Sequence, residues 1–212
     1  MKALAVIIPV KPPEQGKSRL SSVLLPQDRL ALNRALLRHT FEQAANLADF
    51  ADIYVVSKSA EVAADALRRG FVACDEPETC ELNGAIRIGA NAALRAGLDE
   101  VMVLPVDLPG LSSTRLVELV EEFRSGFDAL IVADRAGSGT NVLLWRPIGA
   151  AVFRYGSDSA RHHARSAEAL GLRLALRQDV ALSFDIDTPT DLQLWMQEGR
   201  LPRLAGVDTD FC

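Results

Sequence analysis

The run ALAVIIPV, Ala3 to Val10, decides the fold. It is continuously apolar and rich in β-branched residues, the composition of a strand covered on both faces rather than one. Working outward, the same kind of run returns along the chain. DIYVVS (Asp52 to Ser57), FVACDE (Phe71 to Glu76), EVMVLPVD (Glu100 to Asp107), DALIVAD (Asp128 to Asp134) and NVLLWRP (Asn141 to Pro147) read as strands, and LRLALR (Leu172 to Arg177) as extended. Helical patterns separate them. Pro26 to Phe50 carries Leu30, Leu37, Phe41 and Ala44 at helical spacing. Ala60 to Arg69 ends at Gly70, and Leu82 to Ala96 stops at Gly97. Ser112 to Ser125 has Ser112 or Ser113 as N-cap, and Ser157 to Leu170 and Thr188 to Gln197 complete the set. Strand and helix alternating in this way imply an α/β fold, a mostly parallel sheet flanked by helices. Right-handed crossovers then put the C-terminal ends of the parallel strands on one edge, where ligands bind in such sheets.

Global composition narrows the function classes. The chain has 212 residues, enough for one domain with at most a small appendage after residue 199. It is 49% hydrophobic and 24% charged, an ordinary globular balance. A net charge of -5 argues against a general nucleic-acid binder but leaves room for an anionic small substrate in a local basic pocket. No apolar run reaches the roughly 20 residues of a transmembrane helix, so no membrane partner is expected. The N-terminus reads as a first strand rather than a signal peptide. Cys74, Cys80 and Cys212 are odd in number and lack a CxxC, which fits a reducing cytoplasm better than a disulfide framework or a zinc site.

The residues just past the strand ends carry the chemistry. VKPPEQGKSRL follows the first strand. Its GKS, Gly16 to Ser18, resembles the end of a P-loop, but position 11 is Lys11 where that pattern needs glycine, so a P-loop ATPase is disfavoured. Lys11, Lys17 and Arg19 still gather three cations beside Gly16, which suits a polyphosphate. A plain solvated loop is the alternative. Asp107, in LPVDLPG, is either a turn former or a metal ligand, and Pro109-Gly110 makes a turn without it.

VALSFDIDTPTDL, Val180 to Leu192, places Asp185 and Asp187 one residue apart at the end of an apolar run. On an extended segment both point to one face, with Ile186 turned the other way. Two bare carboxylates that close repel, and a divalent cation removes the conflict. Asp187 could instead cap the last helix, but Thr188-Pro189-Thr190-Asp191 already supplies a capping box. With Asp107 as a third carboxylate, a hard-oxygen site for Mg²⁺ emerges, and phosphoryl or nucleotidyl transfer is the implied reaction class. DRAGSGTNVLL brings Gly137, Ser138, Gly139 and Thr140 together, and RYGSDSARHHA puts Gly156, Ser157, Asp158 and Ser159 before a helix. Both read as ordinary turns or as a second phosphate site. His162 and His163 are expected at the surface and His39 on a helix face; Cys74 and Cys80 read as packing residues.

PVKPPEQGKSRL, LNGAI, LPVDLPGL, DRAGSGTNVLL, YGSDSARHH and FDIDTPTDL, in this order, resemble the 2-phospho-L-lactate guanylyltransferase family, whose bacterial members are phosphoenolpyruvate guanylyltransferases. The resemblance runs from Ala3 to Gln197. It implies a Rossmann-like nucleotidyltransferase fold of the nucleotide-diphospho-sugar-transferase type. It implies a reaction joining GMP from GTP to a small phosphorylated three-carbon acid, with release of pyrophosphate, on the way to a deazaflavin coenzyme. It further implies Mg²⁺ at Asp107, Asp185 and Asp187, and the acid at Lys17, Thr140, Gly156 and Ser159. GTP falls to Lys11, Gly16, Lys17, Arg19, Pro77 and Asn83. Phosphoenolpyruvate, 2-phospho-L-lactate and 3-phosphoglycerate are left open as acceptors, as is the oligomeric state. The rivals are a molybdenum-cofactor or sugar-phosphate nucleotidyltransferase, a haloacid-dehalogenase-type phosphatase suggested by DIDTPT, and a nucleotide-binding module without activity. The phosphatase motif would follow the first strand and carry Thr or Val where this chain has Pro189.

Overall fold

A computed structural model describes residues 2–198. The tail expected after residue 199 lies outside the described residues. Among these residues seven strands form one sheet: β1 Leu4–Pro9, β2 Ala51–Ser57, β3 Val72–Asp75, β4 Glu100–Val103, β5 Ala129–Ala133, β6 Thr140–Trp145 and β7 Leu174–Arg177. The helices between and after them are α1 Pro26–Ala45, α2 Ala60–Arg68, α3 Leu82–Arg95, α4 Ser113–Gly126, α5 Ser159–Ala169 and α6 Pro189–Glu198.

The strand order is β3-β2-β1-β4-β6-β5-β7, parallel except where β6 pairs with β4 and β5. The short connection 134–139 explains the exception. A parallel partner needs a crossover of about a dozen residues or more, so a short loop returns the chain antiparallel.

β1 lies near the centre, and its alternation sorts the two faces. Leu4, Val6 and Ile8 pack with Phe41 of α1 and Leu119 and Phe123 of α4. Ala5 and Ile7 pack on the other side with Ile86 and Ala90 of α3 and Ala167 of α5. A third cluster joins Leu20 and Leu24 to Leu32 and Leu36 of α1, to Phe184 and Ile186, and to Leu192 and Trp195 of α6. Full burial of one leucine such as Leu20 stabilises by roughly 1.5–3 kcal/mol. This cluster therefore clamps the loop after β1 against the 184–187 segment, which are far apart in sequence.

Two expectations about elements need correction. The first helix stops at Ala45, and residues 46–50 form turns that bury Leu47. More important for the site, Val180 to Asp187 is not a strand: 180–183 are turn and 184–187 irregular. Asp179 is the cause. Its carboxylate accepts from the backbone N–H of Ala181 and Leu182, and its carbonyl accepts from Ser183 N–H. Backbone donors used locally cannot join a ladder. The alternation of side chains survives regardless: Phe184 and Ile186 are buried, while Asp185 and Asp187 are half-buried and line one cavity.

Candidate active site

The C-terminal ends of β1 and β4 and the 184–187 segment meet around a cavity of about 440 Å³. Lys17 is its organising residue. Its backbone is left-handed, φ 53°, and its side chain is only 8% exposed. The ammonium donates to Asp107 Oδ2 at 3.1 Å and lies 3.7 Å from Asp187 Oδ1. Arg19 donates to the other oxygen of Asp187 at 2.9 Å. Lys11 and Gly16 line the same cavity. Gly16 is there for space: a Cβ would stand 2.7 Å from Asn33 Nδ2, which itself donates to Pro13 O at 2.7 Å. Asn33 thereby fastens the loop to α1.

Asp107 sits where β4 has run out, and its carbonyl accepts from Ile186 N–H at 3.1 Å. That bond brings Asp185 and Asp187 to it. Asp185 makes no ion pair among the described residues. Burial pushes its carboxyl up to about 6, with the Asp107 charge adding to the rise and Lys17 opposing it. Behind them, Thr188 and Asp191 form the expected capping box. Thr188 N–H donates to Asp191 Oδ2 at 2.8 Å, and Asp191 N–H donates to Thr188 Oγ1 at 3.3 Å. Asp187 is thus not needed as a cap.

The three carboxylates are brought to one place, but they do not form the metal cluster expected of them. Among the described residues no group of three or more His, Cys, Asp or Glu is placed to hold a metal ion. The reason is visible in the geometry: the Lys17 ammonium occupies the space between Asp107 and Asp187. The donors are hard oxygens, and Asp185 is a half-buried acid with no ion-pair partner among the described residues, so the chemistry of the set fits Mg²⁺ while its arrangement is closed by lysine.

A second cavity of about 440 Å³ adjoins the first and shares Pro9, Val10, Lys11, Gln15 and Leu82 with it. Its far wall holds Lys58, Cys80 and Glu76, whose carboxyl is raised chiefly by burial, against the lowering charges of Lys58 and Lys11. Pro77 is exposed beside it, and its carbonyl accepts from Cys80 N–H. Asn83 turns away from this cavity: its side-chain amide donates to Tyr155 O and accepts from Tyr155 N–H, at 2.9 and 2.8 Å. It acts as a clasp for the loop before Gly156.

Of the residues expected to bind the acid, Lys17 lines the first cavity, while Thr140 at the start of β6, Gly156 before α5 and Ser159 at the start of α5 lie outside it. Gly156, φ 135°, lines an open cavity of about 420 Å³ with Asn83, Arg87, Arg154 and His162. Thr140 and Ser159 are buried and line none of these cavities. His163 joins them, against expectation: it is fully buried, with Nδ1 2.9 Å from Thr140 Oγ1. A helical stripe of Ala160, His163 and Ala167 faces the sheet, and that spacing was legible in the sequence. His162 is exposed, as expected. His39 is also more than a helix-face residue: its Nε2 donates to Leu111 O at 2.9 Å and ties α1 to the loop after Asp107.

A family profile described as "Guanylyl transferase CofC like" matches residues 4–201. The chain belongs to this family. A phosphoenolpyruvate guanylyltransferase of Sphaerobacter thermophilus is 36% identical over 188 residues, covering 88% of this chain and 89% of that protein. One of Mycolicibacterium smegmatis is 35% identical over 208 residues, covering 95% and 88%. Among solved structures, a Desulfovibrio desulfuricans G20 protein described as a nucleotide-diphospho-sugar transferase superposes with a TM-score of 0.78 at 18% identity. It covers 98% of this chain and 93% of that one. A CMP:2-keto-3-deoxy-manno-octonic acid synthetase superposes at 0.59 with 13% identity, over 91% and 96%. At these identities the structures speak for the fold alone, and that fold is the Rossmann-like nucleotidyltransferase expected from the sequence. The family, not the fold, separates a guanylyltransferase from the sugar-phosphate and phosphatase readings. Among the described residues no helix is long and apolar enough to cross a membrane.

Proposed function

We propose that this enzyme transfers GMP from GTP to phosphoenolpyruvate, releasing pyrophosphate, as a step toward the side chain of a deazaflavin coenzyme. Its relatives are named for that acceptor. The observation that carries the site assignment is the Lys17 ammonium lodged between Asp107 and Asp187 in a cavity that Lys11 and Arg19 also line.

In this reading the two adjoining cavities form one nucleotide cleft. Lys11, Arg19 and the Gly16–Lys17 backbone take the triphosphate. The base lies toward Pro77 and Glu76, and Asn83 supports it indirectly by holding the Tyr155 loop. A carboxylate accepts from both N1–H and N2–H of guanine, which no other common base offers. The acid's phosphate goes to Lys17, Thr140, Gly156 and Ser159. One of its oxygens attacks the α-phosphorus of GTP; a new P–O bond forms as the α–β bridging bond breaks and pyrophosphate leaves. The nucleophile is already anionic, so no general base is required. Lys17 neutralises charge that grows on the transferring phosphoryl group, and the cleft aligns the reactants. Mg²⁺, when bound, supplies further neutralisation of the triphosphate, and Asp107, Asp185 and Asp187 are the carboxylates that would hold it. We read the 212 residues as one domain, since the candidate residues all lie on or between the elements of one sheet and its flanking helices, and a reducing cytoplasm accords with the free, half-buried Cys74 and Cys80.

Pyrophosphate release by the purified protein with Mg²⁺ tests this directly, using GTP, ATP or CTP against phosphoenolpyruvate, 2-phospho-L-lactate or 3-phosphoglycerate. Release with GTP and phosphoenolpyruvate, at least tenfold above the other pairs, is expected. Release with another acid moves the acceptor; none with any acid from protein that binds GTP overturns the reading.

A further inference from the structure

We propose that His163 is a positioning residue for the acceptor acid: it holds the Thr140 hydroxyl as a hydrogen-bond donor and fixes the 154–156 loop beside it. The inference rests on the reading that Thr140, Gly156 and Ser159 take the acid's phosphate.

The argument starts from the two nitrogens of the ring. Arg154 backbone N–H donates to His163 Nε2 at 2.9 Å, so Nε2 carries no proton. A neutral imidazole then has its proton on Nδ1, which donates to Thr140 Oγ1 at 2.9 Å. A hydroxyl has one proton and two acceptor sites. With an acceptor site taken by the imidazole N–H, the Thr140 proton is left to be given elsewhere, and an anionic phosphate oxygen is an acceptor only. Had the ring presented a bare nitrogen to Thr140, the hydroxyl proton would be spent on it.

The surroundings keep the ring in that state. His163 is 0% exposed, and the Tyr155 ring packs against it edge-to-face, 5.0 Å between centroids. Burial, with His162 and Arg154 as neighbouring charges, drives its pKa down to about 4. Among the described residues no acid bonds to it to favour the imidazolium. Its two bonds also span the right pieces of chain. Thr140 opens β6, Arg154 lies two residues before Gly156, and Ser159 is one turn upstream of His163 on α5 and also buried, at 2% exposure. Ala160 N–H donates to Ser138 O at 3.0 Å and ties the same turn of α5 to the glycine loop. One imidazole thus sets the relative position of the candidate acid ligands, none of which it replaces.

The test compares His163→Leu, which removes both bonds at similar volume, with His163→Asn, whose side-chain NH₂ still reaches toward Thr140. Thr140→Val serves as reference. Pyrophosphate release is measured with phosphoenolpyruvate and GTP each varied in turn. His163→Leu is expected to raise the KM for phosphoenolpyruvate tenfold or more and leave that for GTP within twofold. His163→Asn should recover most of the loss, and the Leu/Val double variant should be no worse than the worse single one. A folded His163→Leu protein with both KM values within twofold of wild type overturns the inference. If Thr140→Val leaves the acid's KM unchanged, the reading of the acid site fails instead. Imidazole ¹⁵N resonances of the wild-type protein give an answer independent of the variants and of turnover. An Nδ1–H tautomer that does not titrate between pH 6 and 8 is expected; an Nε2–H tautomer or an imidazolium overturns the assignment.

Discussion

One acid opens β4 and another lies just past its far end, and the two are treated in opposite ways. Glu100 opens the strand and is nearly buried, at 7% exposure. Arg124 donates to its Oε2 twice, at 2.9 and 2.6 Å, and Arg146 lies 3.6 Å from the other oxygen. Arg146 continues to Asp128, which Arg173 grips with its side chain and backbone. Those guanidinium bonds hold the Asp128 carboxyl well below the usual carboxylate range. Past the other end of β4, Asp107 shares one lysine with Asp187, and Asp185 next to them is pushed upward instead. At one edge three arginines satisfy two acids; at the other Lys17 and Arg19 face three acids, and Asp185 is paired by neither. Fully bonded pairs hold elements together. A carboxylate left unpaired beside lysine and arginine suits a site that takes a triphosphate together with its counter-ion.

Substitutions at the two edges should therefore separate activity from stability. The largest effect is expected from Asp187→Asn, which removes one charge with little change of shape. Turnover should fall by on the order of 10²–10³-fold with the melting temperature preserved; full activity would dismantle the carboxylate assignment. Lys17→Ala should cost roughly 10–100-fold in kcat/KM through kcat or the KM for the acid, and unaltered kinetics would take Lys17 out of the site. Glu76→Gln probes the base end of the cleft. It should lower kcat/KM for GTP about tenfold, an expected loss of a charged hydrogen bond, and raise that for XTP, whose C2 carbonyl accepts from the new amide. An unchanged GTP/XTP ratio would remove Glu76 from base reading. The smallest effect on activity belongs to Glu100→Gln. It should destabilise by about 2 kcal/mol in denaturant melts, because Arg124 and Arg146 lose their anion, and leave kcat within twofold. A loss of turnover there, without unfolding, would erase the contrast between the edges.

Much of this was legible before any coordinates. The continuous apolar run at Ala3 to Val10 and the alternation after it specify a parallel sheet, because a strand covered on both faces leaves no polar side to its pattern. Lys11, Lys17, Arg19 and Asp107 could be picked out because their positions past strand ends follow from that topology, Asp187 because it alternates with the buried Ile186, and one cavity does collect them. The capping box at Thr188 was readable because it is local. His163 stands between the two cases. The Ala160–His163–Ala167 stripe that turns it inward is local, but Thr140, the hydrogen-bond partner that satisfies the buried ring, lies on another element.

What the sequence determined by itself is therefore whatever depends on neighbours along the chain: periodicity, caps, turn chemistry and the order of motifs that marks the family. The irregular course of Val180 to Asp187 belongs to that class as well, since Asp179 takes the backbone donors of Ala181, Leu182 and Ser183, all within four residues. Tertiary structure alone decided two things. The Lys17 ammonium, rather than open space, came to lie between Asp107 and Asp187, because the Leu20–Ile186–Trp195 cluster presses those two segments together. The ring of His163 was turned so that one nitrogen meets Thr140 and the other the backbone of Arg154. Each is a long-range contact whose distance is set by packing, and no local pattern of residues encodes a packing distance.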